Sequence, residues 1–168
     1  MEGDVPPLNE RAMKKTFIRQ ATQADALYVA KNLIEADRAE VIAATGLDPV
    51  LILPNGVDGI RDVRVGGLAD EPEIPMLIWG VDPVPGEPSV GIPWMLCTPH
   101  IYEHPVELIP TVKREWETYH KTWPVLTNFT DARNVRHHQL LKWLGCHFVR
   151  KVPFGPASLH FLEFVSIR

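Results

Sequence analysis

The chain has 168 residues, 45% apolar and 23% charged, with 17 Lys and Arg against 21 Asp and Glu for a formal net charge of −4. That length buries a core without staples, and the composition is globular, which excludes a disordered chain. The acid excess argues against a nucleic-acid binder, because phosphate contacts need clustered cations.

No run approaches the roughly 18 apolar residues of a membrane span. The opening Met-Glu-Gly-Asp-Val-Pro-Pro has no charged-then-apolar leader, so no secretion signal is expected. Cys97 and Cys146 lie far apart; they read as reduced, buried thiols of a cytosolic protein, with a disulfide between them the alternative.

Residues 1–16 carry Pro6 and Pro7 and show no period, which predicts a flexible arm ahead of one domain over 17–168. A short strand is predicted over Phe17 to Gln20. Thr22 then caps a helix with Asp25 at its third position. Leu27, Ala30, Leu33, Ile34 and Val41 recur at helical spacing, with a break expected near Asp37 and a stop at Gly46. Pro49 and Pro54 bracket a short apolar stretch.

Val63 and Val65, then Met76, Ile78 and Val81, then Ile92, Trp94 and Leu96 predict three strands. The last two are separated by a Pro-rich turn over Asp82 to Pro88, and connections this short join antiparallel neighbours. Ile109, Val112, Trp116, Tyr119 and Trp123 step along one helical face, with Pro105 in the first turn and Pro110 expected to shift the start or kink it. After Pro124 a strand is expected over Val125 to Phe129. A helix follows with His137, Leu140, Leu141 and Leu144, closed by Gly145. Two strands near Phe148 to Val152 and Leu159 to Val165 finish the chain. This order predicts an α/β (α+β) fold: a mixed, mainly antiparallel twisted sheet with helices on both faces.

The order, with Phe17-Ile-Arg-Gln-Ala-Thr-Gln-Ala-Asp25 in front and Asn134 ahead of Leu140-Leu-Lys-Trp-Leu-Gly145, resembles the GCN5-related N-acetyltransferase (GNAT) superfamily. The resemblance implies acetyl-CoA held on backbone amides after the third meander strand, with Leu96, Thr98 and Asn134 as cofactor contacts. A second resemblance is to the internal virion protein A family of short-tailed bacteriophages. Asn32-Leu-Ile-Glu-Ala-Asp-Arg-Ala-Glu-Val41, Trp94-Met-Leu-Cys-Thr-Pro-His-Ile101, His104-Pro105, Leu141-Lys-Trp-Leu-Gly145 and His160-Phe161 carry it. It implies a role in phage particle assembly beside other virion or ejection proteins, in host cytoplasm or in the virion.

Two departures from the acetyltransferase pattern set the expected function. The superfamily's diphosphate loop needs glycines so that backbone amides approach the phosphates. Here Cys97-Thr-Pro-His-Ile-Tyr-Glu-His-Pro105 has none, and two prolines without N–H. The tyrosine expected four residues before Gly145 is Leu141. The leading expectation is therefore a non-catalytic virion or assembly protein, without cofactor, that acts through protein contacts. Asp37, Arg38, Glu40 and His104 are its candidate contact residues. The alternative is an acyl-CoA-dependent N-acyltransferase with an atypical loop, for which Glu40, Glu71 and Glu73 are conceivable bases.

Smaller constellations have plainer readings. Cys97-x-x-His100-x-x-x-His104, with Cys146 and His147, has the types of a zinc set but no Cys-x-x-Cys anchor. No metal is assigned; Cys97 is expected to pack in the sheet and His100 to bond locally. Arg133, Arg136, His137, His138 and Lys142 read as a solvated helix face. The tryptophans at 79, 94, 116, 123 and 143 divide between core and contact surface.

Overall fold

A computed structural model describes residues 13–59 and 61–168, so most of the expected arm, residues 1–12, lies outside the described residues. The elements are β1 (Thr16–Gln20), α1 (Gln23–Lys31), α2 (Glu35–Thr45), α3 (Pro49–Ile52), β2 (Arg64–Leu68), β3 (Leu77–Val84), β4 (Glu87–Cys97), α4 (Pro105–Tyr119), β5 (Val125–Asp131), α5 (Val135–Trp143), β6 (His147–Phe154) and β7 (Leu159–Ile167). Single 3₁₀ turns occupy Pro54–Gly56 and Pro99–Tyr102. Thr16, counted in the arm by sequence, is the first residue of β1.

The strands form one sheet of order β1-β2-β3-β4-β5-β7-β6, antiparallel except where β4 meets β5. On one face, Ala26 and Val29 of α1 pack with Val65 and Ile78. On the other, Trp116 of α4 and Leu141 of α5 pack with Leu126 and Phe164, and Leu108 of α4 with Leu77 and Trp79. The expected mainly antiparallel sheet with helices on both faces is the fold of this chain.

Local chemistry explains the ends. Thr22 and Asp25 close a reciprocal capping box, and the Asp25 carboxylate also accepts a forked pair from Arg19 at 2.6 and 2.8 Å. The helix break falls at Asn32–Ile34 rather than near Asp37. Asn32 caps α1, and the Ile34 N–H donates to the Cys97 carbonyl at 3.0 Å, which pulls the chain out of helix. The turn expected over Asp82 to Pro88 shrinks to Pro85-Gly86, with Gly86 at φ +81°, because β3 and β4 stay paired around it. α4 starts at Pro105 and runs through Pro110 unshifted. It stops at Tyr119, so Trp123 lies beyond the helix its spacing suggested.

The parallel ladder between β4 and β5 is short, pairing Val90 with Val125 and Gly91 with Leu126. Beyond it the strands part. Pro93 has no N–H to offer β5, and its carbonyl is taken at 2.9 Å by the Asn128 side chain instead of a strand amide. The result is a wedge-shaped opening through the middle of the sheet.

Candidate active site

The opening is flanked by a cavity on each side. The first, of about 480 Å³, lies between β4, α4 and α5, with walls from Ile101, Ile109, Val112, Leu140 and Trp143. The second, of about 350 Å³, lies between α2, α3, β4 and the β5–β7 region, and includes Ala44, Leu53, Trp94, Phe129 and Phe161. Met95 and His137 line both cavities. Asp37 lines the first and Glu40 the second, one turn apart on α2.

A polar cluster fills the meeting point. The amide of Asn134, which caps α5, donates to Glu40 at 2.9 Å and to Asp37 at 3.3 Å. The Thr130 hydroxyl lies 3.3 Å from both a Glu40 oxygen and His137 Nδ1. His137 Nδ1 also stands 3.8 Å from Glu40 Oε1, while its Nε2 has no hydrogen-bond partner among the described residues. The imidazole thus shows one nitrogen to a carboxylate and leaves the other free, the arrangement that fixes a histidine for proton transfer.

Electrostatics support that role. Burial by itself would lower the His137 pKa. The Glu40 carboxylate 3.8 Å away, with the charge of Asp37, outweighs it and holds the imidazole above its ordinary value. Burial raises Asp37 to about 6, against the Cys97 amide, the His137 charge and the Asn134 bond, which favour the carboxylate. Burial, aided by the Asp37 charge, pushes the Cys97 thiol well up, and burial lifts Cys146 to about 12. Neither thiol is a nucleophile near neutrality.

The residues expected to face a partner turn inward. Asp37 and His104 are 6% exposed, the Glu40 side chain 15%, and Arg38 donates to the Ala30 carbonyl at 2.6 Å. Asp37, Arg38 and Glu40 spend side-chain polar atoms on bonds within the fold, and His104 is buried, so the four present little surface to a partner. The three expected cofactor contacts separate. Asn134 lines the first cavity, whereas Thr98 is buried with its N–H and hydroxyl on the Met76 and Pro75 carbonyls. Leu96 faces the second cavity and the α1 side of the sheet. Of the three conceivable bases only Glu40 reaches the opening. Glu71 bonds His100 at 2.9 Å on the β2–β3 turn, and Glu73 lies on that turn as well.

The predicted solvated face is also corrected. His137 points into the opening, and His138 Nε2 bonds the Asp131 carbonyl at 2.9 Å. Arg136 does remain exposed, stacked 4.5 Å over Tyr102 at the rim of the first cavity. Trp79 and Trp116 are core, while Trp143 is 47% exposed at the same rim. Sequence reading put His137 on an apolar stripe and missed its pairing with Glu40. The usable signal was Asp37-x-x-Glu40, two acids one turn apart, opposite Asn134-x-x-His137 in a chain already read as this fold.

A sheet parted between two parallel central strands, with cavities on both sides of the gap, defines an acetyltransferase-like scaffold. Solved structures agree on the fold. A GNAT-family acetyltransferase from Bacillus anthracis superposes with a TM-score of 0.68 at 12% identity, covering 93% of this chain and 96% of its own. A ribosomal-protein-alanine N-acetyltransferase from Brucella melitensis gives 0.64 at 17% identity, covering 90% and 99%. Spermidine N-acetyltransferase from Vibrio cholerae, solved with CoA and spermine, gives 0.66 at 8% identity, covering 91% and 95%. No family model and no curated protein matches the chain.

These neighbours overturn the leading expectation of a non-catalytic virion or assembly protein acting by contacts. The structures named above share the fold over about nine-tenths of the chain and are acetyltransferases, and of the contact residues that reading required Asp37 and His104 are buried. Among the described residues, no helix is long and apolar enough to cross a membrane.

Proposed function

We propose that the chain is an acyl-CoA-dependent N-acyltransferase in which the Glu40–His137 pair handles the proton of the acceptor amine. The observation that carries this reading is His137 itself. Paired with a carboxylate through Nδ1 and free at Nε2, it stands where the two cavities meet.

The first cavity suits the donor. Its aliphatic and aromatic walls match a pantetheine arm, and Arg136 at the rim offers a cation to phosphate. The diphosphate would rest on side chains rather than on a backbone cradle. In the 97–105 segment the Ile101 and Glu103 amides are already spent on the Thr98 and His100 carbonyls, and Pro99 and Pro105 have none. When bound, the donor supplies an acyl group activated as a thioester.

The chain's own residues do the rest. The second cavity holds the amine, and His137 Nε2 accepts its proton as the nitrogen attacks. Glu40, a positioning residue 3.8 Å from Nδ1, steadies the imidazolium by its charge, as in other carboxylate–histidine pairs. Strand alternation turns the Met95 N–H to the same side as that of Cys97, into the opening, where it can donate to the carbonyl oxygen as charge builds there. The proton on His137 is then available to the departing sulfur, which removes the need for a tyrosine at Leu141.

The test is calorimetric titration with acetyl-CoA, followed by acetyl transfer to a panel of primary amines. Micromolar binding with transfer is expected, and His137→Ala should keep the binding while kcat falls by roughly 10²–10⁴. Absence of acetyl-CoA binding would sink the proposal.

A further inference from the structure

We propose that the connection from β4 to α4 carries a divalent-metal site of the zinc class, built from His100, Glu103 and His104. One ligand atom from each lies within 4.8 Å of the others. His100 Nδ1 and Glu103 Oε2 are 3.2 Å apart, close to the edge of about 3.3 Å that a tetrahedron with 2.0–2.1 Å bonds requires. Closing the third ligand onto the same centre needs side-chain shifts on the order of an ångström.

The buried atoms at the site call for an ion independently of that geometry. His104 and Glu107 are 6% and 7% exposed, yet His104 Nδ1 and Glu107 Oε2 have no hydrogen-bond partner among the described residues. The approach of His104 Nδ1 to Glu107 Oε1 at 3.5 Å is too long to satisfy either group. Leaving such groups unpaired in the interior is unfavourable; a cation held through His104 Nε2 would fix the proton on Nδ1, facing Glu107, and so turn this loose approach into a bond.

Carboxylates also stand where they would orient ligating imidazoles. Glu71 sits 2.9 Å from His100 Nε2, and Glu107 lies beside His104 Nδ1. A histidine that binds metal through one nitrogen commonly gives the other to a carboxylate. Two imidazoles and a carboxylate, with the rings 5.2 Å apart, form a nitrogen–oxygen set that favours zinc over the all-oxygen sites of calcium or magnesium. Cys97, the residue sequence spacing would recruit, takes no part. Its N–H is bound to Asp37 and its side chain packs against the core cluster of Leu68, Met76, Leu77, Trp79 and Leu108.

The metal would tie the β2–β3 turn, through Glu71, to the turn whose Ile101 and Tyr102 line the donor-side cavity. The site does not depend on acyl transfer. The experiment is zinc titration of the chelator-stripped full chain against a chromogenic zinc chelator, with elemental analysis and thermal melting in parallel. One zinc per chain and a rise in Tm are expected. His100→Ala and Glu103→Gln, at partly or fully exposed positions, should each weaken zinc by at least the roughly 10–100-fold that loss of an outer-shell partner costs, with the zinc-free Tm little changed. Substituting buried His104 or Glu107 risks unfolding, so neither carries the test. No zinc at equimolar concentration, or binding that survives both substitutions, overturns the site.

Discussion

His137 and Asp37 are the residues whose protonation couples the fold to its chemistry, and each predicts a pH effect of definite sign. His137 must be neutral to accept a proton, and its neighbours hold its pKa above the ordinary 6.5, so transfer should rise with pH through that raised value. Glu40→Gln removes the neighbouring negative charge that raises it. The acidic limb of the pH–rate profile should then move to lower pH while kcat falls, a shift that a merely structural role would not produce. Asp37 acts on stability. Its carboxyl titrates near 3.8 unfolded and about 6 folded, so the native state holds that proton more tightly. The contribution is complete below pH 3.8 and is lost as pH rises through 6, and the gap corresponds to about 3 kcal/mol. Asp37→Asn, which keeps an acceptor for the Cys97 amide, should therefore gain on the native chain by up to about 3 kcal/mol between pH 3.5 and 7. Urea unfolding at those two pH values reads the difference, and an equal effect of the substitution at both would refute the assignment.

At the scale of elements, the parting of β4 from β5 makes the site, and it rests on few residues. Gly91 closes the short ladder where a Cβ would come within 2.6 Å of Val81 Cγ1 and 2.9 Å of the Trp123 ring. Those neighbours are a branched core side chain and an indole, neither of which gives easily. Gly91→Ala should cost roughly 1–3 kcal/mol by overpacking, seen as a lower urea midpoint with unchanged slope. A neutral result would mean that β4 and β5 slide apart there without penalty. Elements of this kind were legible in the sequence wherever one face is apolar. The α4 stripe, the Thr22–Asp25 box and the three meander strands follow from period and capping chemistry alone. The break at Asn32–Ile34 was not legible. It is set by the Cys97 backbone, more than 60 positions away, and no local propensity encodes a bond to a strand that has not yet been placed. The same holds for the site. Glu40 and Asn134 could be named as candidates one at a time, but their 2.9 Å bond exists only because α2 and α5 approach one opening from opposite faces.

For the whole molecule, that opposition divides the labour. α2 and α3 line the second cavity on one face of the sheet, and α4 and α5 line most of the first on the other, with Met95 and His137 the residues common to both. A substrate binding on one face should therefore be insensitive to steric change on the other, while transfer needs both. Ala44 lines only the second cavity and Ile109 only the first. Ala44→Phe narrows the second cavity and should raise KM for bulky amines while leaving acetyl-CoA affinity within about twofold, because Ala44 is not among the residues that line the first cavity. Ile109→Trp should do the reverse, weakening acetyl-CoA with amine KM preserved at saturating donor. The two variants form a crossed pair. If both depressed acetyl-CoA affinity alike, the cavities would be one compartment and the chemistry would have to be placed elsewhere than at His137. If each moved only its own substrate, the gap between β4 and β5 would be established as the place where donor and acceptor meet.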